Sequence, residues 1–120
     1  MATDHKAYAK EIDARAAALY KAAPETMRAF NGLKLAAGRD GALDALTKEL
    51  MALSIAVATR CEACINYHVR ESIRKGASRE QLAETVSVAI EMGGGPATVY
   101  AALALDAFDR LKGGNAQDSL

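Results

Sequence analysis

Residues 47–68 read TKELMALSIAVATRCEACINYH, and this stretch decides the fold. From Leu50 to Ala58 its only polar residue is Ser54. Such an apolar segment predicts a helix that is buried on most of its sides. Helix-forming residues dominate the rest of the chain as well, and no segment alternates at a period of two residues. The sequence therefore favours an all-α fold.

Local start and stop signals divide the chain into about six helices. Pro24 and Pro96 can each occupy the first turn of a helix. Ser78-Arg-Glu-Gln81 has the form of a capping box, and Gly76 is a typical left-handed helix end. The predicted helices run over about Asp4–Ala22, Pro24–Ala37, Leu43–Thr59, Cys61–Gly76, Arg79–Met92 and Pro96–Leu111, with a frayed tail from Gly113. At 120 residues, we expect a single domain over residues 1–120.

Composition excludes several classes of protein. The 15 basic and 15 acidic residues give a formal net charge of zero, which argues against nucleic-acid or membrane-surface binding. No run of 18 apolar residues suggests a membrane span, and the first residues have no apolar core of a secretory signal. A cytoplasmic protein is expected. Many alanines line the predicted third and sixth helices, and Val99, Leu103 and Leu105 of the sixth do not share one narrow stripe, which predicts a self-association surface.

The chemistry of the chain concentrates in a C-x-x-C pair. Cys61 and Cys64 are its only cysteines, and His68 follows one helical turn after the second. These positions share one face of a helix, so both sulfurs and the imidazole can meet. Free N–H groups at a helix start stabilise a thiolate, which a nearby imidazole can generate or hold. In a reducing compartment the pair is more typical of a catalytic or metal-binding site than of a structural staple.

Glu49 is the candidate partner of His68, in an otherwise apolar part of the preceding helix. Burial there would raise the pKa of its carboxyl unless the group is paired. Other interpretations remain open: the cysteines could be small buried hydrophobic residues, and Glu49 an exposed charge. Zinc bound by Cys61, Cys64, His68 and Glu49 is disfavoured, because structural zinc sites rarely draw ligands along one helix.

Three further features are given no role in catalysis or ligand binding. Gly93-Gly94-Gly95-Pro96 predicts a tight turn between helices rather than a phosphate cradle, since no strand precedes it. Tyr67 is expected to be off the Cys64/His68 face and to serve packing. His5 is placed in a mobile terminus and given no role.

Residues 47–68, followed by Gly76-Ala-Ser-Arg-Glu-Gln81 and the Gly-Gly-Gly-Pro turn, resemble the alkylhydroperoxidase AhpD-like core of the carboxymuconolactone decarboxylase family. The resemblance spans about residues 40–112 and fits a short, stand-alone member. It implies an AhpD-like helical bundle that is an obligate homotrimer or homohexamer. Ala63 stands where the well-studied peroxidase members carry a histidine, and the decarboxylase branch typically lacks the cysteine pair.

By the family pattern, Cys64 would attack the O–O bond of a hydroperoxide and Cys61 would resolve the sulfenic acid to a disulfide. His68 and Glu49 would form the proton relay. A lipoyl-bearing protein or another dithiol would then reduce the pair, with no bound cofactor or metal.

The leading hypothesis is thus a thiol-dependent peroxidase or disulfide oxidoreductase. One alternative is an acid–base enzyme of the decarboxylase type that uses His68 and Glu49, with the cysteines incidental. Another is a redox-sensing protein whose association state changes when the disulfide forms.

Overall fold

The computed structural model describes Met1 and residues 4–116, with side chains as far as residue 113. Six α-helices and no strand make up this part of the chain, as the sequence predicts. Their bounds are α1 His5–Ala22, α2 Pro24–Gly38, α3 Ala45–Ala58, α4 Glu62–Arg74, α5 Arg79–Gly93 and α6 Gly95–Ala116.

The helix ends follow from local capping chemistry. The carboxylates of Asp4 and Asp44 accept the N–H groups of the third residue beyond each, which begins α1 and α3. Ser78 and Gln81 form the predicted capping box of α5. Gly76 has a left-handed φ of 93° at the end of α4. The predicted frayed tail is wrong as far as it can be followed, since α6 continues to Ala116, and residues 117–120 lie outside the described residues.

The hydrophobic core lies among α3, α4, α5 and α6. Its largest fully buried apolar side chains are Leu53, Val57, Ile65, Val69 and Leu82. Alanines of α6 pack against them, together with Phe108. The small side chains of these alanines let the long sixth helix lie close to its neighbours. The core therefore fixes the positions of α3 and α4, the two helices that carry the candidate site.

Polar contacts fasten α1 to this core. His5 is only 3% exposed, and its Nε2 lies 2.8 Å from Oδ2 of Asp106 on α6. The Asn66 side chain donates to the His5 carbonyl, and Arg70 pairs with both carboxylate oxygens of Asp13 at 3.0 and 3.1 Å. The expectation of a mobile terminus at His5 is therefore wrong, because a contact with a residue 101 positions away holds it.

The second helix is held mainly by its neighbour. No residue of α2 is buried, and it follows α1 after a one-residue break at Ala23. The two helices form a hairpin, with α1 lying against α4 and α6. This arrangement leaves the inner side of the hairpin as a wall facing α4.

The expectation that α3 is buried on most sides is wrong for the single chain. Leu53, Ala56 and Val57 are buried, but Met51 and Ile55, one turn apart, are 50% and 62% exposed. Large exposed apolar residues also occur on α5 and α6, at Val88, Met92 and Val99. Isolated exposed apolar residues are ordinary on a protein surface. These five side chains lie on three helices that contact one another.

Candidate functional site

A tight turn between α3 and α4 places the first cysteine at a helix start. Arg60 adopts a left-handed φ of 59°, an unusual conformation for a residue with a side chain. The N–H groups of Arg60 and Cys61 donate back to the carbonyls of Val57 and Ala56, which closes α3. Cys61 consequently becomes the N-cap residue of α4.

The two cysteines form a disulfide across the first turn of α4. Cys61 and Cys64 are bonded, and their Cα atoms lie 5.2 Å apart. The backbone N–H of Cys64 points to the Cys61 sulfur at 3.2 Å. An N–H donor and the positive end of the helix dipole both favour negative charge on sulfur when the pair is reduced. The two sulfurs are thus bonded within one helical turn, at a helix start that favours the thiolate form once the pair is reduced.

His68 and Glu49 meet across α3 and α4. The imidazole Nδ1 of His68 contacts Oε2 of Glu49, whose side chain is 13% exposed. The other carboxylate oxygen of Glu49 accepts from Nζ of Lys75 at 3.2 Å, and that amine also reaches Glu71 at 3.3 Å. A carboxylate can only accept hydrogen bonds, so Nδ1 of His68 carries the hydrogen and Nε2 remains for proton exchange.

Two opposing effects act on the pKa of Glu49. Burial raises the pKa of the carboxyl, while hydrogen bonds from His68 and Lys75 and their positive charge lower it. The net result is a pKa below the ordinary value of a glutamate. Glu49 is therefore a paired carboxylate at neutral pH, and the interpretation of it as an exposed charge does not hold.

An open groove of about 460 Å³ leads to the second cysteine. Its floor belongs to α4, and the α1–α2 hairpin supplies its walls. The α4 residues that line it are Ala63, Cys64, Tyr67 and His68. Cys64 and His68 thus face one space, from which a small molecule can reach both.

Tyr67 belongs to this groove, contrary to the expectation that it is off the Cys64/His68 face. Its ring meets the ring of His68 edge-on, with centroids 5.1 Å apart. Its hydroxyl accepts a hydrogen bond from Nζ of Lys34 at 2.9 Å. The helical spacing was available as a signal, because Tyr67 is three residues beyond Cys64 and lies on the adjoining side of the same face.

The four residues selected from the sequence occupy adjoining positions. Cys61 caps the helix, Cys64 and His68 line the groove, and Glu49 lies behind His68. Lys75 was missed, although it is seven residues beyond His68 and thus on the same side of α4. Within the described residues, no group of three or more His, Cys, Asp or Glu side chains is arranged to hold a metal ion. No helix in that part of the chain is long and apolar enough to cross a membrane.

Relatives of known sequence match most of the chain. A protein of Cupriavidus necator, described as uncharacterised, is 46% identical over 111 residues, which cover 92% of this chain and 98% of that protein. An uncharacterised protein from the cox locus of Paracoccus denitrificans is 42% identical over 85 residues, covering 71% of this chain and 77% of that protein.

Solved structures share the same arrangement of helices. A carboxymuconolactone decarboxylase family protein of Legionella pneumophila, crystallised in its apo form, superposes with a TM-score of 0.86 at 44% identity, covering 90% of this chain and 96% of the other. A family protein of Thermotoga maritima superposes with a TM-score of 0.77 at 33% identity, over 89% and 93% of the two chains.

The sequence model of one family matches residues 24–107, which include α2 to α5 and all four candidate residues. This match and the relatives above agree with the resemblance to the AhpD-like core. The chain belongs to the carboxymuconolactone decarboxylase family.

Proposed function

We propose that this protein is a thiol-dependent peroxidase or disulfide oxidoreductase that reduces hydroperoxides through Cys61 and Cys64. The observation that carries the proposal is the placement of Cys64 and His68 in one groove, with Cys61 already bonded to Cys64. Two cysteines one helical turn apart that can bond to each other suit a catalytic cycle between dithiol and disulfide. An involvement in an antioxidative response has been suggested for the Thermotoga maritima relative, which agrees with this function.

The reaction begins at Cys64. Its proton passes to His68, and the thiolate attacks the outer oxygen of the hydroperoxide, so that an S–O bond forms and the O–O bond breaks. The departing alkoxide takes the proton from His68 and leaves as an alcohol. Cys64 is now a sulfenic acid, oxidised by two electrons.

Cys61 completes the oxidation. Its thiolate attacks the sulfur of Cys64, the S–S bond forms, and the S–O bond breaks. The released hydroxide leaves as water with the proton that Cys61 gave up, which His68 and Glu49 relay. The Cys61–Cys64 disulfide has the connectivity that this step would produce, which supports the proposal.

An external dithiol returns two electrons and two protons to the pair. The family resemblance favours a lipoyl-bearing protein in this role, and a cytoplasmic setting would keep such a reductant available. Cys61 is half-buried at the start of α4, so a thiolate from a partner can approach the disulfide there.

Peroxide consumption with dihydrolipoamide as reductant tests the proposal. Wild type should consume cumene hydroperoxide, and Cys64→Ser should lose this activity to the uncatalysed level, because no thiol then faces the groove beside His68. Equal rates for the two proteins would refute the assignment.

We further propose that the chain works as a homotrimer or homohexamer. The support is the exposed apolar surface on α3, α5 and α6, where Met92 is 78% exposed and Ile55 is 62% exposed. Burying such side chains between subunits is favourable by roughly 25 cal/mol per Å² of apolar surface. Light scattering after size-exclusion chromatography should give three or six times the mass of 12.6 kDa. A monomer at micromolar concentration would contradict this proposal.

Acid–base catalysis of the decarboxylase type is the second candidate. The observation in its favour is that His68 and Glu49 pair without any help from the cysteines, which are bonded to each other. It predicts that a lactone-decarboxylating activity survives alkylation of both reduced thiols. The peroxidase proposal predicts that the same treatment abolishes turnover.

A further inference from the structure

The groove at Cys64 has mostly apolar walls on its hairpin side. Its volume of about 460 Å³ is within the range of roughly 300–1,000 Å³ typical of pockets for small organic ligands. The apolar lining comes from residues at helical spacing on α1 and α2, namely Ile12, Ala16, Tyr20, Met27 and Phe30. Phe30 is 51% exposed and Tyr20 is 39% exposed, so these side chains remain available for contact. Hydrogen peroxide alone would make no use of such walls.

The charges at the groove are unequally compensated. Asp13 is paired with Arg70 through both carboxylate oxygens, so its negative charge is largely neutralised. Lys34 has no such partner: within the part of the chain that the structure describes, no carboxylate oxygen lies within 4.0 Å of its Nζ. That amine instead donates to the hydroxyl of Tyr67 and lies 4.4 Å from its ring centroid. The groove therefore carries one uncompensated positive charge.

Lys34 and Cys64 line the same groove. Tyr67 is on the turn of α4 that follows Cys64, and both line the same floor. Because Lys34 is bound to the tip of Tyr67, a ligand of modest length can contact the amine and the sulfur together. An ammonium group at a partly open site attracts carboxylates, and the attraction strengthens where apolar walls exclude water.

We propose that the groove binds amphipathic organic carboxylates, and that the substrates of this site are apolar hydroperoxides carrying a carboxylate. The apolar body packs against the α1–α2 walls, the carboxylate pairs with Lys34, and the hydroperoxide group reaches Cys64. The substrate class rests on the proposed peroxidase function, whereas the binding itself does not.

Calorimetric titration of the oxidised wild-type protein tests the binding without any chemistry. The probes are decanoate and its uncharged counterpart 1-decanol, both below their aggregation concentrations. Decanoate should bind more tightly than decanol. Lys34→Met should weaken decanoate by roughly 3- to 10-fold, the effect of one partly exposed charge-assisted contact, and leave decanol unchanged.

Two control variants complete the titration. Lys10→Met removes the same charge from an exposed position on α1 outside the groove lining, and it should leave both affinities unchanged. Phe30→Ser should weaken decanoate and decanol equally, because it alters the apolar wall alone. Equal affinities of wild type for the two probes, no binding of decanoate, or a Lys34→Met protein that matches wild type would each overturn the proposal.

Turnover separates this inference from the proposed function. With a carboxylate-bearing alkyl hydroperoxide and its methyl ester, wild type should show a higher kcat/KM for the acid, and Lys34→Met should remove the difference. Equal kcat/KM values for the acid and the ester, both lost in Cys64→Ser, would refute the substrate class and leave the peroxidase assignment standing. The opposite result is that decanoate binds through Lys34, while Cys64→Ser turns over the hydroperoxide as fast as wild type. That result would refute the peroxidase assignment and leave the binding proposal standing.

Discussion

Glu49 on α3 contacts Nδ1 of His68 on α4, and a second hydrogen bond from Lys75 holds the same carboxylate. The short turn that joins the two helices also places Cys61 at the N-cap of α4. One local arrangement thus orients the imidazole and positions the disulfide. His68 is the proton carrier of the proposed peroxidase. Its orientation depends on Glu49, which does not line the groove.

Glu49→Gln should lower peroxide reduction by about 100-fold, the lower end of what a general acid–base group contributes. The amide can donate as well as accept, so it no longer enforces a hydrogen on Nδ1 of His68. Peroxidase assays at saturating reductant measure the effect. Glu71→Gln is the matched control, because Glu71 also pairs with Lys75 but makes no hydrogen bond or ion pair with His68. A Glu49→Gln enzyme as fast as that control would show that the carboxylate does not orient His68.

Lys75→Met should move the acidic limb of the rate profile to higher pH. Burial raises the pKa of Glu49, and the hydrogen bonds and charges of His68 and Lys75 outweigh it. Without the amine the pKa of Glu49 rises, so the carboxylate protonates at a higher pH. Its hydrogen bond from His68 is then lost at a higher pH than in wild type. The profile of kcat/KM against pH reports this shift, and an unchanged acidic limb would contradict it.

The same pairing makes stability depend on pH. The folded-state pKa of Glu49 is below its unfolded value of about 4.3, so the contribution of the ionised carboxylate is fully present above that pH. It is lost as the pH falls through the folded pKa. The difference in unfolding free energy between wild type and Glu49→Gln should therefore be largest near neutrality and shrink below about pH 4. Urea titrations across this range measure it, and a constant difference would argue against the pairing.

Cys61→Ser should trap the proposed intermediate. In the wild type, Cys61 lies across one helical turn from Cys64 and would remove a sulfenic acid at once. With serine there, one equivalent of peroxide should leave a sulfenic acid on Cys64 that dimedone labels, detected by the mass of the adduct. Cys64→Ser is the matched variant and should give no adduct. A dimedone adduct on Cys61 in the Cys64→Ser protein would mean that Cys61 attacks the peroxide and Cys64 resolves the sulfenic acid.

Much of the fold could be predicted because helix limits depend on neighbouring residues. Ser78 with Gln81, Gly76 and Pro24 are all signals within a few residues of the helix end that they mark. His5 shows where this reasoning stops. Its burial depends on Asp106, which is 101 residues away in the sequence. No pattern in the residues around His5 predicts that contact.

The candidate site divides in the same way. Cys61, Cys64 and His68 share one face of one helix, so their spacing alone brings them together. Lys34 reaches Tyr67 from 33 residues away, through a helix without a buried residue, and apolar periodicity carries no information on such a contact. The wall of the groove was therefore beyond prediction, although its floor was not.

Two glycines in helices should respond in opposite ways to alanine. Gly32 lies within α2 with no atom within 4 Å of an added Cβ, so Gly32→Ala should stabilise the protein by about 0.5–1 kcal/mol through helix propensity. At Gly93, the last residue of α5, an added Cβ would lie 2.9 Å from the Cβ of Ala97.

Gly93→Ala should destabilise the protein by about 1–3 kcal/mol, the usual cost of overpacking. Ala97 cannot relieve the contact by rotating a side chain, since its Cβ is fixed to the backbone in the first turn of α6, and the residue is only 2% exposed. Urea unfolding at one protein concentration compares both variants with wild type. If Gly93→Ala were as stable as Gly32→Ala, the close approach of α5 and α6 at this turn would be disproved.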